Sequence, residues 1–324
     1  MQKIRIGIAG WGNLGRGVKA SVAQNPDMEV VGVFSRRTLD PAEVGAPCFS
    51  IADAEAHRDA IDVMILCGGS AKDLPEQTPQ LAQWFNTVDS FDTHARIPEY
   101  FEAVDAVAAA SGTVSVISVG WDPGLFSLNR LLGEVVLPEG RTYTFWGKGL
   151  SQGHSDAIRR VPGVKAGVQY TVPDPDAIEA VRRGDLPELT NYTAHRRDCF
   201  VVPEDGADLD QIVHDITTMP NYFAGYETSV TFITDAEMAA DHATMPHGGL
   251  VLRSGTTGAD THQVVEYALT LGSNPEFTSS VLVAYARAAH VMRGLGMSGA
   301  KTLYDVAPGW LSPKSAADLR RELL

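Results

Sequence analysis

Gly7-Ile8-Ala9-Gly10-Trp11-Gly12-Asn13-Leu14-Gly15 follows an apolar, β-branched run, Ile4–Ala9, and opens an amphipathic stretch, Asn13–Ala23. Gly10, Gly12 and Gly15 have the spacing GxGxxG. In a dinucleotide fold the first glycine turns the chain tightly after a strand and the second admits a pyrophosphate close to the backbone. The third lets the helix pack against the strand. A helix beginning near Asn13 then points unpaired N–H groups at the phosphates. Glycine-rich turns are common, so the position of this one, between a first strand and an amphipathic helix, is what makes it informative.

The flanking chain repeats the alternation. Strand patterns at Glu29–Phe34, Asp62–Cys67, Thr87–Ser90 and Thr113–Val119 alternate with helical patterns at Glu76–Phe85 and Pro98–Ala110. The strands are short and apolar on both faces, as in a parallel sheet covered by helices. The expected fold is α/β, a Rossmann-type doubly wound parallel sheet over residues 1–120. Beyond residue 120 the strand patterns lengthen: Thr142–Trp146, Val168–Val172, Cys199–Pro203, Thr228–Ile233, Gly249–Arg253 and Thr261–Leu271. With helices at Leu125–Val136 and Asp208–Thr218, they predict a second, α+β domain around an open sheet at 121–275. A long helix, Phe277–Leu295, aligns Phe277, Val281, Tyr285, Ala288, Met292 and Leu295 on one face. The segment 276–324 is expected to pack back on the first domain.

The end of the second strand decides between cofactors. NAD enzymes usually place an acid there for the ribose 2′-hydroxyl, whereas this chain has Ser35-Arg36-Arg37. An acid would repel a 2′-phosphate; a hydroxyl and guanidinium forks bind one, so NADP is favoured. Ligands of open α/β sheets lie outside the carboxyl ends of the strands. Two further strand ends, Cys67-Gly68-Gly69-Ser70 and Ser90-Phe91-Asp92, therefore belong to the same crevice. Val119-Gly120-Trp121-Asp122-Pro123-Gly124 is a Gly/Pro turn that presents a carboxylate and an indole at the domain junction.

Net charge is −14, hydrophobic content 44 % and charged content 20 %, which fits a globular protein and argues against a nucleic-acid partner. Basic residues pair up at Arg36-Arg37, Arg159-Arg160, Arg182-Arg183, Arg196-Arg197 and Arg320-Arg321, each a candidate anion pocket in an acidic chain. Cys48, Cys67 and Cys199 show no CxxC spacing, and nothing has metal-ligand spacing, so no metal is expected. The start, Met1-Gln2-Lys3-Ile4-Arg5-Ile6, goes straight into a strand pattern without a signal-peptide core. No apolar run reaches bilayer length, so no membrane partner and a cytoplasmic location are expected. In the second domain Arg196-Arg197, Gly153-His154, the turn Met245-Pro246-His247-Gly248-Gly249 and Asn274-Pro275 could hold an anionic or zwitterionic substrate.

Together the stretches GIAGWGNLGR, VFSRR, CGGSAKDLPEQ, VDSFDTH, GWDPGLFSLNR, TFWGKGLSQGHSDAIRRVPGV, RRDCFVV, TMPNYFAGYE, MPHGG and NPEF resemble the meso-diaminopimelate dehydrogenase family from residue 7 to beyond 275. The resemblance implies a homodimer in lysine biosynthesis. It oxidatively deaminates, reversibly, the D-centre of meso-2,6-diaminopimelate with NADP⁺ to L-2-amino-6-oxopimelate, ammonia and NADPH. It implies cofactor contacts at Trp11, Gly12, Asn13, Leu14, Ser35, Arg36, Arg37, Cys67, Gly68, Gly69, Ser70, Ser90, Phe91, Asp92, Val119, Gly120, Trp121, Asp122 and Pro123. Substrate contacts fall at Asp92, Asp122, Trp146, Gln152, Gly153, Thr171, Arg197, His247 and Asn274, with Asp92 and Asp122 at the reacting amine. Two other readings are a dihydrodipicolinate-reductase-like or homoserine-dehydrogenase-like enzyme of the same plan, and a non-catalytic NADP sensor. The GWDPG and WGKGLSQGHSDAIRR runs argue against the first. The joint presence of Asp92, Asp122, Arg197 and His247 argues against the second.

Overall fold

Seven short strands, apolar on both sides, build one parallel sheet. They are β1 (Ile4–Ala9), β2 (Met28–Ser35), β3 (Cys48–Ser50), β4 (Val63–Leu66), β5 (Asn86–Asp89), β6 (Val114–Val116) and, from the end of the chain, β14 (Gly299–Lys301). Their order is β14-β6-β5-β4-β1-β2-β3. Every pairing is parallel. The order reverses at β1, so the crevice for a ligand opens at the carboxyl ends of β1, β2 and β4. The computed structural model describes residues 3–259 and 261–324, apart from the side chain of Gln152; Met1 and Gln2 lie outside it.

The chain divides into two compact units, Met1–Leu128 with Pro275–Leu324, and Asn129–Asn274. In the first unit both sheet faces are covered. On one, Ile6, Ile8, Val33, Val88 and Val116 pack with Val18 of the helix Asn13–Ala23 and with Val281, Leu282, Tyr285 and Met292 of the helix Asn274–Gly294. On the other, Met64, Leu66 and Ile117 pack with Leu74, Leu81, Tyr100 and Val104 from the helices Leu74–Ala82 and Ile97–Ser111. The long helix differs from its expected face at one end, for Leu295 is 62 % exposed. The helix stops at Gly294, so Leu295 no longer continues its buried stripe.

An ion pair ties that helix to the turn before β2. Arg287, almost fully buried, donates from Nε and Nη2 to the Asp27 carboxylate at 2.6 and 2.8 Å, and from Nη1 to the carbonyl of Leu311 at 2.7 Å. The hydrogen bonds from Arg287 hold the Asp27 carboxyl below its usual 3.8. A carboxyl depressed on folding adds stability that is full above its unfolded value and disappears as pH falls through the folded one. Asp27→Asn is therefore expected to lose about 2–3 kcal/mol at pH 7. That gap should close in urea melts run well below pH 3.8.

The second unit holds two sheets rather than the single open sheet expected. The strands are β7 (Gly140–Trp146), β8 (Gly149–Leu150), β9 (Val164–Pro173), β10 (His195–Pro203), β11 (Glu227–Phe232), β12 (His247–Thr256) and β13 (His262–Leu271). One sheet runs β11-β10-β9-β8 and the other β13-β12-β7. All pairs are antiparallel except β10 with β11. Gly147 and Lys148 part β7 from β8, and with that break the strands fall into separate sheets, each with its own apolar cluster.

Candidate active site

In the first unit the glycine turn meets the stereochemical demand inferred from its spacing. Gly10 has φ +105°, and a Cβ on Gly15 would run into the Gly10 carbonyl oxygen, so the helix packs against the turn only because residue 15 has no side chain. A Cβ on Gly12 would meet no other chain atom within 4 Å. Gly12 begins the helix Asn13–Ala23 without a side-chain cap, which keeps the first-turn N–H groups for an anion.

A cleft of about 220 Å³ at this turn is lined by Gly10, Trp11, Gly12, Ser35, Arg36, Arg37, Cys67, Gly68 and Gly69, with Phe34, Ile51, Asp73 and Gln77. A second recess runs from Ser35, Arg36 and Arg37 to Cys48, Phe49 and Ser50. The Arg37 amide donates to Ser35 Oγ at 3.0 Å and its Nη2 to the Trp11 carbonyl at 3.1 Å, so the fork leans on the glycine turn. Arg36 pairs with Asp73 at 3.0 Å, and Asp73 also accepts the Gly69 amide at 2.8 Å. Sequence reasoning missed Asp73, four residues past Gly69. Burial pushes the Cys67 thiol up, leaving it neutral. A buried Oε1 of Gln77 has no partner. The donor set and shape fit a dinucleotide with a 2′-phosphate.

The other strand ends adjoin. The Asp92 amide donates to Ser70 Oγ at 2.9 Å, joining the 67–70 loop to Ser90-Phe91-Asp92. Phe91 and Val119 are buried in the core, so these two can meet a ligand only through their backbone. Asp92 is exposed and Asp122 half-buried. In the 119–124 turn, a Cβ on Gly124 (φ +138°) would collide with the Gly120 carbonyl. Trp121 is buried edge-on against Phe126, 5.3 Å between ring centres. Asn13 is exposed and Leu14 half-buried at the head of the helix.

In the second unit β-sheet register brings several of the named side chains together. Gly149 and Arg197 both pair with Thr171, from β8 and β10, and the His247 ring packs on Gly149. Arg197 is buried, donates to Thr171 Oγ1 and lies over the Tyr226 ring at 4.0 Å. Burial disfavours its charge. Among the described residues no carboxylate pairs with it, and its Nε is buried without a partner. The other arginine pairs are exposed, with Arg159, Arg182, Arg183, Arg196 and Arg321 on carboxylates at the surface. Arg197 is thus the buried cation of the five pairs. A buried guanidinium fork of this kind has the chemistry to take a carboxylate.

The histidines around it are held neutral. His247 Nδ1 lies 2.8 Å from the Gly248 amide and 3.2 Å from the Gly248 carbonyl, and burial lowers its pKa. His154 is lowered to about 4, first by burial and then by Arg197. His195, also lowered to about 4 by burial, accepts the Trp146 amide on Nε2 at 2.9 Å, and its ring stacks on the indole. Its Nδ1 therefore donates to the Asn191 carbonyl. Sequence reasoning missed His195 and also Gln169, wholly buried two residues before Thr171, whose Oε1 has no partner. A glutamine inside an apolar strand was the available signal. Gly153 is exposed in the short helix Gln152–Ile158, and the Gln152 side chain lies outside the described residues. The Asn274 amide donates to the Met245 carbonyl at 3.0 Å, anchoring the turn before His247. Among the described residues no cluster of three metal-ligating side chains occurs, and no helix is long and apolar enough to cross a membrane.

The parallel sheet with its glycine turn and strand-two arginines defines a Rossmann-type, dinucleotide-dependent oxidoreductase. The model of the diaminopimelic acid dehydrogenase C-terminal domain matches residues 120–273. The meso-diaminopimelate D-dehydrogenase of Lysinibacillus sphaericus is 63 % identical over 328 residues, covering all of both chains. The solved DAP dehydrogenase of Corynebacterium glutamicum in complex with DAP is 49 % identical, with a TM-score of 0.91 and full coverage of both chains. An engineered D-amino acid dehydrogenase bound to NADP⁺ is 48 % identical, with a TM-score of 0.85 and the same coverage. The chain belongs to the meso-diaminopimelate D-dehydrogenase family.

Proposed function

We propose that the chain catalyses the reversible, NADP⁺-dependent oxidative deamination of the D-centre of meso-2,6-diaminopimelate, giving L-2-amino-6-oxopimelate, ammonia and NADPH in lysine biosynthesis. One observation carries the substrate class: the buried Arg197 guanidinium beside Thr171, which among the described residues has no carboxylate partner and whose Nε is orphaned. A site of that kind takes a carboxylate.

The cofactor-binding residues are those of the glycine turn, Ser35-Arg36-Arg37, the 67–70 loop, Ser90–Asp92 and Val119–Pro123. NADP⁺ held there would supply the acceptor for the hydride of the D-Cα. Asp92 and Asp122 hold the reacting amine, and its deprotonation is assisted by a carboxylate or water. Water then hydrolyses the imine. Arg197, Thr171, His247 and Asn274 capture a carboxylate at the far end, with Trp146, Gln152 and Gly153 beside them. Anchoring that end selects which stereocentre reacts, by orientation more than by affinity. Asp122→Asn is expected to lower kcat/KM about 10²-fold; unchanged turnover and substrate affinity would remove Asp122 from this role.

The decisive assay follows NADPH formation with meso-, LL- and DD-diaminopimelate and with D-alanine, using NADP⁺ and NAD⁺. Activity confined to the meso isomer with NADP⁺ is expected; silence with all of them would sink the reading. We also propose a homodimer. Leu132, Val135 and Val136 of the helix Leu125–Val136 are more than half-exposed or nearly so, at 50, 68 and 62 %, and Val265 of β13 is 40 % exposed. Exposed apolar side chains of this kind suit an isologous contact. Sedimentation at two concentrations tests it. A reaction on the NADP(H) pool belongs in the cytoplasm, without nucleic acid or membrane as partner.

A further inference from the structure

We propose that Asp89 is a positioning residue for the reaction: through one carboxylate oxygen it holds together the turn that carries Asp92 and the turn that leads to Asp122. The inference rests on the function proposed above, which gives Asp92 and Asp122 to the reacting amine.

Asp89 ends β5 and is wholly buried. An ionised carboxylate without water survives in a core only when its lone pairs are filled. Here they are filled in two distinct ways. Oδ2 accepts the Tyr100 hydroxyl at 2.6 Å and the Thr78 hydroxyl at 3.1 Å, both from helices packed on the sheet. Oδ1 accepts two backbone amides, Phe91 at 3.0 Å and Ser118 at 3.1 Å. The Asp89 carbonyl also accepts the Val119 amide at 2.8 Å. One side of the carboxylate is therefore bolted to the scaffold and the other to two loops 27 positions apart in sequence, both at the carboxyl edge of the sheet.

Ser118 shows what the second bond does. It sits at φ +57°, a left-handed conformation that a residue with a Cβ keeps only when its surroundings impose it. Its own hydroxyl is buried without a partner, so the side chain does not fix that turn. The amide bond to Asp89 does. Phe91 is fixed twice, by its amide and by its ring stacked on Tyr100 at 4.0 Å. Burial pushes the Asp89 carboxyl above its usual value, and the four donors oppose that shift. A carboxylate is useful here because only an acceptor can serve both turns at once.

Three full-length variants test the proposal, each measured for kcat, for KM of meso-2,6-diaminopimelate, for NADP⁺ Kd by nucleotide fluorescence, and for Tm. Asp89→Ala removes every bond. Asp89→Asn keeps the shape and one weaker, neutral acceptor for both amides. Tyr100→Phe removes a strong bond on the scaffold side and leaves both turns attached. The expected kcat falls about a hundredfold in Asp89→Ala and about tenfold in Asp89→Asn, as a small misplacement of catalytic groups does. NADP⁺ Kd should rise less than kcat falls, because the glycine turn and Ser35-Arg36-Arg37 are untouched and only the contacts of Ser90–Asp92 and Val119–Pro123 loosen. Tyr100→Phe should lower Tm and keep kcat within about twofold. If Asp89→Ala does not fold, the comparison of Asp89→Asn with Tyr100→Phe decides. Loss of kcat that simply follows Tm across the variants, or kcat unchanged in Asp89→Asn, overturns the proposal. Wild-type enzyme inactive on meso-2,6-diaminopimelate would instead refute the function on which it rests.

Discussion

Arg197→Met raises the KM for meso-2,6-diaminopimelate by about 10²–10³-fold and leaves NADP⁺ affinity unchanged: that is the expected result, and its size follows from burial. A desolvated guanidinium that meets a carboxylate through a fork of N–H groups is worth about 3–5 kcal/mol when one partner is removed. The same burial works against the free protein, since desolvation disfavours the charge and no carboxylate among the described residues compensates it. Methionine fills similar volume beside Thr171 and Tyr226 without a charge. The variant is therefore expected to melt at the same temperature or higher while binding substrate far worse. Loss of affinity joined to retained stability marks a residue kept for its ligand. A fall in Tm with KM unchanged would mean that Arg197 serves the fold. Steady-state kinetics and a thermal melt on the same preparation distinguish the two.

The second large effect belongs to the cofactor. The double variant Arg36→Ala/Arg37→Ala is expected to raise the KM for NADP⁺ about 10²-fold and to leave that for NAD⁺ within about twofold. Arg36 is 70 % exposed in its side chain, so screening keeps its share modest, and Arg37, braced on Ser35 and Trp11, carries more. Asp73 is released in this variant. The measured preference should collapse through NADP⁺ alone; a parallel rise for NAD⁺ would show that the arginines bind the shared pyrophosphate rather than the 2′-phosphate.

Much of this was legible before any coordinates. Gly10, Gly12 and Gly15 placed the first strand and helix, Asn13–Ala23, to the residue, because glycine spacing reports backbone geometry directly. The helix Leu125–Val136 was equally plain from its periodicity. β3 and β14 were not, since three residues at a sheet edge are too few to show a period. The division of the second unit into two sheets was hidden for another reason: it depends on which strands pair, and pairing is non-local. The site divides in the same way. Arg197 could be singled out because arginine pairs are conspicuous in an acidic chain. Asp89 and His195 could not, because each acts on a neighbour brought near by the fold, Ser118 or Trp146, and Gln169 left only the mark of a polar side chain in an apolar strand. A lone acid closing Thr87-Val88-Asp89 was the trace that Asp89 left in the sequence, since a charge in an apolar strand demands donors from elsewhere.

The discontinuity of the first unit has a consequence for how the protein is made. Its sheet needs β14 at residues 299–301 beside β6 at 114–116, and its core needs Val281, Leu282, Tyr285 and Met292. A ribosome delivers the whole of Asn129–Asn274 before either piece exists. Domains form in the order in which their chain emerges. The second unit can therefore settle while the glycine turn still lacks the helix that backs it, so the nucleotide pocket is expected to become rigid only after residues 275–301 arrive.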